Sequence, residues 1–192
     1  RTDYDNVWNE VAQEFLGTEG QEDDDGIDFT IEDFAERQER VESLGAPVGD
    51  VVDAGAGYTV IRTSDGSTER RVGTRAWRNN NPGNIEYGAF AKSQGAVGSD
   101  GRFAVFPSYE AGRQAKAALI FESPSYRDKT IMQAISRYAP SFENNTQAYA
   151  NAVARAAGVS VGTPMNQLSA SQREAVLDAM ERVEGFKPGT TQ

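Results

Sequence analysis

The sequence predicts an α+β fold that is mostly helical and carries a small β part. Two capping patterns, Thr130 with Gln133 and Ser169 with Gln172, each precede a stretch in which apolar residues have helical spacing. Asp65-Gly66 lies between two β-prone runs in YTVIRTSDGSTERRV, which is typical of a hairpin. We therefore expect a hairpin followed by a series of helices.

Four helices are expected in the second half of the chain, because apolar and small residues recur there with helical spacing. The last of them has an apolar face around Leu177 and Met180. Ahead of the helices, a second extended pair is expected in GSDGRFAVFPS, around Ala104-Val105. The helices are expected to start after Ser108, at Thr130, at Thr146 and after Ser169, and the last three to stop before Pro140, at Gly158 and at Gly185.

Charge divides the chain into two parts. Residues 1–56 hold three basic and 17 acidic residues, net −14, whereas residues 57–192 hold 16 basic and 12 acidic residues, net +4. We expect residues 1–56 to be an acidic N-terminal extension with two short helices, over residues 4–16 and from Thr30, and with a linker in GAPVGDVVDAGAG. Residues 57–192 are expected to form the main domain. The chain opens at Arg1 and not at methionine, so we expect it to be part of a longer product.

The absence of histidine and cysteine narrows the possible chemistry. Ser-His-Asp triads, Cys-His dyads and the usual zinc sites need an imidazole or a thiol, so they are excluded. The acidic run EGQEDDDGID lacks the spacing of a calcium-binding loop, and no metal or cofactor is expected. No stretch reaches the roughly 18 apolar residues that span a membrane, and the basic residues form no clustered stripe that would predict nucleic-acid binding. An enzyme of this composition would depend on carboxyl groups.

The segment WRNNNPGNIEYG, residues 77–88, concentrates side-chain amides in one place. Pro82-Gly83 is typical of a type II turn, in which the glycine supplies a positive φ, and some of the asparagines could serve the same turn. Carboxamides also offer donors and acceptors, and nearby aromatic rings offer flat apolar faces, a combination that suits a polar, uncharged ligand. Both interpretations stay open: a structural turn with surface amides, or a ligand site that includes Asn80, Asn81, Asn84 and Tyr87.

Glu184 is the first candidate for an acid catalyst. Cleavage of a glycosidic bond needs a carboxyl group that is protonated near neutral pH, and burial, apolar neighbours or a helix C-terminus can each raise the pKa of a glutamate. Glu184 lies between Val183 and Gly185 in the last turn of the expected final helix, where the helix dipole opposes a negative charge. The alternative interpretation is a solvated charge at the end of a helix.

Glu143 is the second candidate. It precedes two asparagines at the expected start of a helix, where the dipole would lower its pKa, so a base or hydrogen-bonding role suits it better than that of a general acid. Glu181 is expected to be a surface charge. Glu69 and Glu86 lie in strand or turn segments without an obvious setting that would raise the pKa of a carboxyl group.

Four ordered segments resemble a family of phage and prophage virion-associated proteins that look like peptidoglycan-degrading members of the lysozyme superfamily. The segments are RNNNPGNIEYG, GRFAVFPSYEAG, TIMQAISRYAPSFENNTQAYANAV and a terminal helix that ends in VEG, and they span roughly residues 75–188. The resemblance implies a lysozyme-like domain whose Asn-Asn-Pro-Gly-Asn motif falls on residues 80–84. One further family segment falls on Glu143, Asn144 and Tyr149, and another on Glu184 and Gly185.

The chain departs from the family pattern in the terminal helix. The family's Glu-Asn-Gly lacks its asparagine here, and Val183 stands where the family usually has histidine, so a role carried by that histidine does not transfer. In the wider superfamily the helix that ends in the catalytic glutamate is followed by the β part, whereas here such a helix comes last. This order suggests a circular permutation of the lysozyme-like domain.

The resemblance implies cleavage of peptidoglycan glycan strands by a muramidase or a lytic transglycosylase, without a cofactor. The alternative is a non-catalytic structural virion protein that keeps a lysozyme-like fold. The expected location is the virion, with action in the bacterial periplasm or cell wall, and the acidic extension is the expected contact with other virion or tail proteins. The catalytic residues would be Glu184 and Glu143, and the substrate-binding residues Asn80, Asn81, Asn84, Tyr87, Asn144 and Tyr149.

Overall fold

The computed structural model describes residues 50–63, 65–139 and 145–192. Within these residues the chain has a mixed α+β fold, as predicted, and clusters into two compact units. The helical unit is Ala117–Gly185, and the β unit combines residues 50–116 with Phe186–Gln192. The short helices predicted in the N-terminal extension lie outside the described residues.

Most elements are short, and the longer helices belong to the helical unit. In chain order, the β unit contains β1 (Val51–Gly55), β2 (Tyr58–Arg62), β3 (Thr68–Val72), α1 (Arg75–Arg78), α2 (Ala89–Ser93), β4 (Gly98–Ser99), β5 (Ala104–Val105), α3 (Tyr109–Ala117, the last residue of which opens the helical unit) and β6 (Thr190–Thr191). The helical unit contains a π-helical segment (Ala118–Glu122), α4 (Ile131–Tyr138), α5 (Thr146–Ala157), a short 3-10 helix (Met165–Gln167) and α6 (Ala170–Glu184).

The strands β2 and β3 form the hairpin that Asp65-Gly66 predicts. All residues of the two strands pair in one antiparallel register. At the turn, the Asp65 carboxylate accepts hydrogen bonds from the Ser67 hydroxyl and amide and from the Thr63 hydroxyl. These bonds lower the pKa of Asp65 to about 2, because they stabilise its charged form. Gly66 has a φ of +86°, which few other residues adopt, so the turn needs a glycine there.

The segment that the sequence predicts to be a linker contributes a strand. β1 pairs antiparallel with β2, with a bulge between Val51 and Asp53. The Tyr58 hydroxyl donates to Asp53 Oδ2 at 3.0 Å, and this bond raises the pKa of Tyr58. Of the glycines that suggested a linker, Gly55 ends β1 and Gly57, with a φ of +81°, lies in the tight connection between β1 and β2, whereas residues 45–49 lie outside the described part of the chain.

The strand β6 is an element that the sequence did not predict. It pairs antiparallel with β3, so the sheet has, within the described ranges, four strands in the order β1-β2-β3-β6. Beyond its last residue, Gln192 and Arg70 exchange two backbone hydrogen bonds of 2.8 and 2.9 Å. A strand of two residues carries no periodic signal of its own, and its pairing with a distant strand defines it.

One face of the hairpin is turned into the β unit. Thr59 and Ile61 are buried and alternate with less buried residues along β2. Thr59 pairs with Arg71 on β3, and Ile61 pairs with Glu69. Because paired residues of antiparallel strands project to the same side of a sheet, this face carries an opposite-charge pair beside a buried apolar residue.

The predicted second extended pair is also present in the β unit. β4 pairs antiparallel with β5, and both residues of β5 are buried. Phe103 and Phe106, which flank β5, have no exposed surface. The small-residue face predicted after Ser108 is likewise buried on α3, at Ala111 and Ala115.

The helical unit is held together by the apolar faces of α4, α5 and α6. α5 contacts both of the other helices. Both predicted capping boxes are present, at the starts of α4 and α6. α5 and α6 end where predicted, because Gly158 and Gly185 take the left-handed backbone that terminates a helix. The large buried side chains of the three helices are Ile131, Ile135 and Tyr138 of α4, Tyr149 and Val153 of α5, and Val176, Leu177 and Met180 of α6.

A chain that begins at residue 57 is expected to be less stable than one that begins at residue 50, because it lacks β1 and leaves one edge of β2 unpaired. Each lost backbone hydrogen bond contributes roughly 0.5–1.5 kcal/mol, so the free energy of unfolding should fall by about 2 kcal/mol. Urea unfolding followed by circular dichroism measures the difference. Equal stability of the two chains would show that β1 is dispensable and that residue 57 is the true domain boundary.

Candidate functional site

Glu184 is the last residue of α6, as predicted, and is 7% exposed. The helix ends there because Gly185 has a φ of +72° and its N–H bonds back to the carbonyls of Arg182 and Glu181. The carboxyl group of Glu184 therefore lies at the negative end of the helix dipole and largely out of water. Both conditions favour the neutral form of a carboxyl group over the charged form.

Tyr149 of α5 orients the Glu184 carboxyl group. Its hydroxyl donates a hydrogen bond of 2.6 Å to Glu184 Oε1, and its side chain is buried. The two residues meet because Tyr149 lies on the buried face of α5, and α5 packs against α6. The family resemblance implies substrate contact for Tyr149. In the structure its buried hydroxyl is engaged with Glu184.

Two further tyrosines extend this buried cluster in the helical unit. The rings of Tyr126 and Tyr138 meet edge to face, with centroids 6.2 Å apart. Burial raises the pKa of both Tyr138 and Tyr149 well above 10, and the negative charge of Glu184 raises each further. These phenols therefore keep their protons at neutral pH and can act only as neutral donors or acceptors.

Asn81 is built into the core of the β unit and is 0% exposed. Its Nδ2 donates to the backbone carbonyls of Ile85 and Ala104, at 2.8 and 3.0 Å, and its Oδ1 accepts from the Ile85 amide at 3.0 Å. The carboxamide thereby ties the Asn-rich segment to β5. A buried side chain whose donors and acceptor are all engaged with its own chain shapes that segment, and direct contact with a ligand would require it to move.

Asn80 and Asn79 also bond to their own chain. Asn80 donates from Nδ2 to the Phe106 carbonyl at 3.1 Å, and its Oδ1 accepts from Arg71 at 3.0 Å. Its φ is +50°, a left-handed conformation that asparagine tolerates better than most residues. Asn79, which the sequence did not single out, accepts from the buried Thr59 hydroxyl at 2.6 Å. The side-chain amides of Asn79, Asn80 and Asn81 therefore link the Asn-rich segment to β2, β3 and β5 respectively.

The turn that follows Asn81 is not the predicted type II turn. The Asn84 N–H bonds to the Asn81 carbonyl at 3.0 Å, but the positive φ, +47°, falls on Asn84 and not on Gly83. A Cβ at Gly83 would lie 3.2 Å from both Ile85 Cγ1 and Lys116 Cβ, so a larger residue fits there only if these neighbours shift by a few tenths of an ångström. The Asn84 side chain is 3% exposed, and within the described residues its Oδ1 has no hydrogen-bond partner. Because this oxygen is itself buried, its acceptor suits a water molecule, and a ligand would reach it only after the segment moved.

Among the predicted binding residues that the structure describes, Tyr87 is the exposed one, at 38% of its surface. The Lys92 ammonium lies over its ring at 5.0 Å. An exposed aromatic ring next to a cation is accessible to a ligand. The predicted residues thus divide as follows: Glu184 and Tyr149 lie in the helical unit, Asn80, Asn81, Asn84 and Tyr87 lie in the β unit, and Glu143 and Asn144 lie outside the described residues.

A cavity of about 290 Å³ opens on the inward face of the hairpin in the β unit. Its polar lining includes Glu69, Arg71 and Asn80, together with Ser108 and Tyr109. Glu69 and Arg71 form an ion pair of 3.0 Å. Glu69 has no role among the sequence-based predictions. Two charged residues at alternate positions of β3 are the signal that could have identified it, because alternate residues of a strand share one face.

Neither a metal centre nor a membrane span is found in the described part of the chain. No group of three or more His, Cys, Asp or Glu side chains that could hold a metal ion is present in residues 50–63, 65–139 and 145–192. Over the same ranges, no helix has both the length and the apolar character needed to cross a membrane.

Comparison with known proteins found no similar protein. No family model, no curated protein and no solved structure matches the chain. The resemblance to lysozyme-like virion proteins therefore rests on the quoted motifs alone.

Asn81→Ala is expected to lower the free energy of unfolding by about 2–4 kcal/mol, because three buried backbone groups lose their partner at a cost of roughly 1–3 kcal/mol each, before relaxation. Thermal unfolding measures the loss. Asn151→Ala is the matched control, since the Asn151 amide is exposed on α5 and accepts one hydrogen bond, from Gln147. Its effect should stay within about 0.5 kcal/mol. Similar small losses in both variants would contradict the structural role of Asn81.

Tyr138 and Tyr149 are expected to stay protonated in alkali until the helical unit unfolds. Because their pKa values are raised in the folded state, their contribution to stability is complete below pH 10 and is lost as the pH rises above 10, where the unfolded chain releases these protons. Tyrosinate absorbance followed together with circular dichroism tests this, and Tyr149→Phe should remove one late-ionising group. Ionisation of both tyrosines while the helical signal persists would contradict their burial.

Proposed function

We propose that this protein cleaves the glycan strands of peptidoglycan, as a muramidase or a lytic transglycosylase, with Glu184 as the catalytic acid. The observation that carries the proposal is the setting of the Glu184 carboxyl group, which ends a helix and is buried. Glycosidic cleavage needs a carboxylic acid that keeps its proton near neutral pH, and burial at the negative end of a helix is a setting of that kind.

A single glutamate suffices for the transglycosylase reaction. Glu184 gives its proton to the glycosidic oxygen as the bond from C1 to that oxygen breaks. The resulting carboxylate then takes the proton of the muramic acid C6 hydroxyl, whose oxygen bonds to C1, so the product has a 1,6-anhydro ring and Glu184 is protonated again. In a muramidase, water replaces the C6 hydroxyl and the product has a reducing end. We favour transglycosylation because the sequence offers no second carboxylate at an evident spacing from Glu184.

Tyr149 supports both halves of this reaction. Its hydroxyl donates to Glu184 Oε1, so the proton that Glu184 delivers is carried on the other oxygen, Oε2. After that proton has left, the same hydrogen bond stabilises the negative charge of the carboxylate. The raised pKa of Tyr149 keeps this donor protonated throughout.

The proposal also includes the fold of the domain and the residues that contact the glycan. We propose a circularly permuted lysozyme-like domain and, within its β unit, a glycan contact through Asn80, Asn84 and Tyr87. Asn84 Oδ1 offers an acceptor without a partner among the described residues, and Tyr87 offers an exposed ring. Asn81, with its amide engaged by backbone groups, would act by holding the segment in shape.

One observation favours the second candidate, a non-catalytic structural virion protein. Glu184 is 7% exposed, and a buried hydrogen bond between a tyrosine and a glutamate can serve simply to join two helices. The two candidates share a proposed location in the virion, where the acidic extension would contact other virion or tail proteins. They differ in whether peptidoglycan is cut in the periplasm or cell wall.

Glu184→Gln is expected to reduce the lysis of purified cell walls by about 10²–10⁴-fold, which is the usual contribution of general acid catalysis. Glutamine has the same shape and can still accept the Tyr149 hydrogen bond, so thermal unfolding should show an intact fold. Glu174→Gln is the matched control, because Glu174 is exposed on the same helix, and it should keep full activity. Turbidity assays and zymography on cell walls measure the effect.

Further outcomes decide between the candidates. Glu143→Gln is expected to weaken lysis less than Glu184→Gln does, and full activity in Glu184→Gln would transfer the acid role to Glu143. Mass spectrometry of the released fragments identifies the reaction, since 1,6-anhydro ends indicate transglycosylation and reducing ends indicate hydrolysis. An unaltered protein that lyses no cell wall would favour the structural candidate.

A further inference from the structure

The cavity in the β unit has a polar wall built on the sheet. Glu69 and Arg71 occupy alternate positions of β3, so both side chains lie on the inward face of the hairpin. Ile61, the pairing partner of Glu69, adds an apolar patch, and Ser108 and Tyr109 at the start of α3 complete the lining. The volume of about 290 Å³ lies at the lower limit of small-molecule sites, which are roughly 300–1,000 Å³, and suits a ligand the size of one sugar ring.

Arg71 is a fixed part of this wall. Its Nε donates to the Arg78 carbonyl at 3.2 Å, and its Nη2 donates to the Trp77 carbonyl and to Asn80 Oδ1, both at 3.0 Å. Its Nη1 pairs with Glu69 Oε1, and its guanidinium lies 4.1 Å over the Trp77 ring. Four hydrogen bonds use four of the five N–H groups of an arginine, so at most one is left to meet a ligand.

Glu69 supplies the acceptor that faces the cavity. Its side chain is 38% exposed, one of its oxygens pairs with Arg71, and in the part of the chain that the structure describes its Oε2 has no hydrogen-bond partner. The pair carries no net charge. An anion entering the cavity would meet the Glu69 carboxylate, and a cation would meet the fixed Arg71 guanidinium, so the lining favours a neutral ligand that donates hydrogen bonds.

Tyr109 adds an aromatic surface to the same cavity. Its ring packs on Phe186 with centroids 5.4 Å apart, and its hydroxyl accepts from Arg113 at 3.2 Å. These contacts hold the ring in place. A rigid aromatic ring beside a carboxylate acceptor and an aliphatic side chain presents both the polar and the apolar surfaces that a sugar ring needs.

We propose that this cavity binds one pyranose ring of a glycan, as a binding site that belongs to the β unit alone. Hydroxyl groups of the sugar donate to Glu69 Oε2, and the apolar face of the ring lies against Tyr109 and Ile61. Recognition of a neutral, hydroxyl-rich ring follows from the cavity itself. The choice of an N-acetylated glycan rests on the proposed function.

Titration of the full chain carrying Glu184→Gln with tri-N-acetylchitotriose, an uncharged trimer of N-acetylglucosamine, tests the proposal without cleavage. Calorimetry measures the affinity, and amide chemical shifts identify the residues that respond. We expect saturable binding with shifts at Glu69, Ser108 and Tyr109. Glu69→Gln, added to the same chain, should weaken the affinity by about 10–100-fold, because it removes a charged acceptor.

Glu86→Gln is the matched control for this substitution. Glu86 also pairs with an arginine of the β unit, Arg102, at 2.6 Å, but it does not line the cavity. Its replacement should leave the affinity unchanged. Thermal unfolding checks the fold of each variant, and if Glu69→Gln does not fold, Tyr109→Leu tests the same cavity by removing the aromatic face.

Three outcomes would overturn the proposal: no saturable binding of the trimer, an equal loss of affinity in Glu86→Gln, or chemical shift changes confined to residues away from the cavity. None of them depends on lysis. Binding at the cavity by a protein that lyses no cell wall would leave this inference standing while the proposed function fails. Lysis by a protein that does not bind the trimer at the cavity would support the proposed function and overturn this inference.

Discussion

The guanidinium of Arg71 is the contact on which the β unit depends. It joins the middle of the sheet to the end of α1 and to the Asn-rich segment, through carbonyls of Trp77 and Arg78 and through Asn80 Oδ1. Only a planar fork with several fixed donors can make these bonds at once, and a lysine would keep the charge but lose the geometry. Asn80 is held by Arg71 on one side and by the Phe106 carbonyl on the other. One cation therefore links the sheet, the end of α1 and Asn80, which lines the cavity and bonds to the residue that follows β5.

The predictable parts of the fold are those whose cause lies within a few residues. The hairpin at Asp65-Gly66, the capping boxes and the helix ends at Gly158 and Gly185 each depend on a local backbone preference, and each was predicted correctly. β1 and β6 were missed because the stability of a short strand comes from its neighbours in the sheet, which sequence spacing does not reveal. The glycines near β1 signalled a break, and they serve a tight turn between two strands.

The candidate site also has features that the sequence predicts and features that it does not. The position of Glu184 follows from a helix that ends at Gly185, so it could be predicted, whereas its hydrogen bond to Tyr149 joins residues 35 apart in the sequence. The amides of the Asn-rich segment were expected to face a ligand, but Asn81 is used inside the protein. The positive φ was expected at Gly83 but falls on Asn84, and Gly83 instead lies close to Ile85 and Lys116. These are effects of packing, and packing was not visible in the sequence.

The sheet cannot be completed until the residues of β6, Thr190–Thr191, have been synthesised. Arg71 and Thr191 pair across about 120 residues, and the whole helical unit lies between them in the sequence. Closing so long a loop costs conformational entropy, and contacts between such distant residues slow folding. During synthesis, the edge of β3 stays open after the helical unit has left the ribosome. An open strand edge can pair with the same edge of another nascent chain, and β6 covers that edge at Arg71 and Val72.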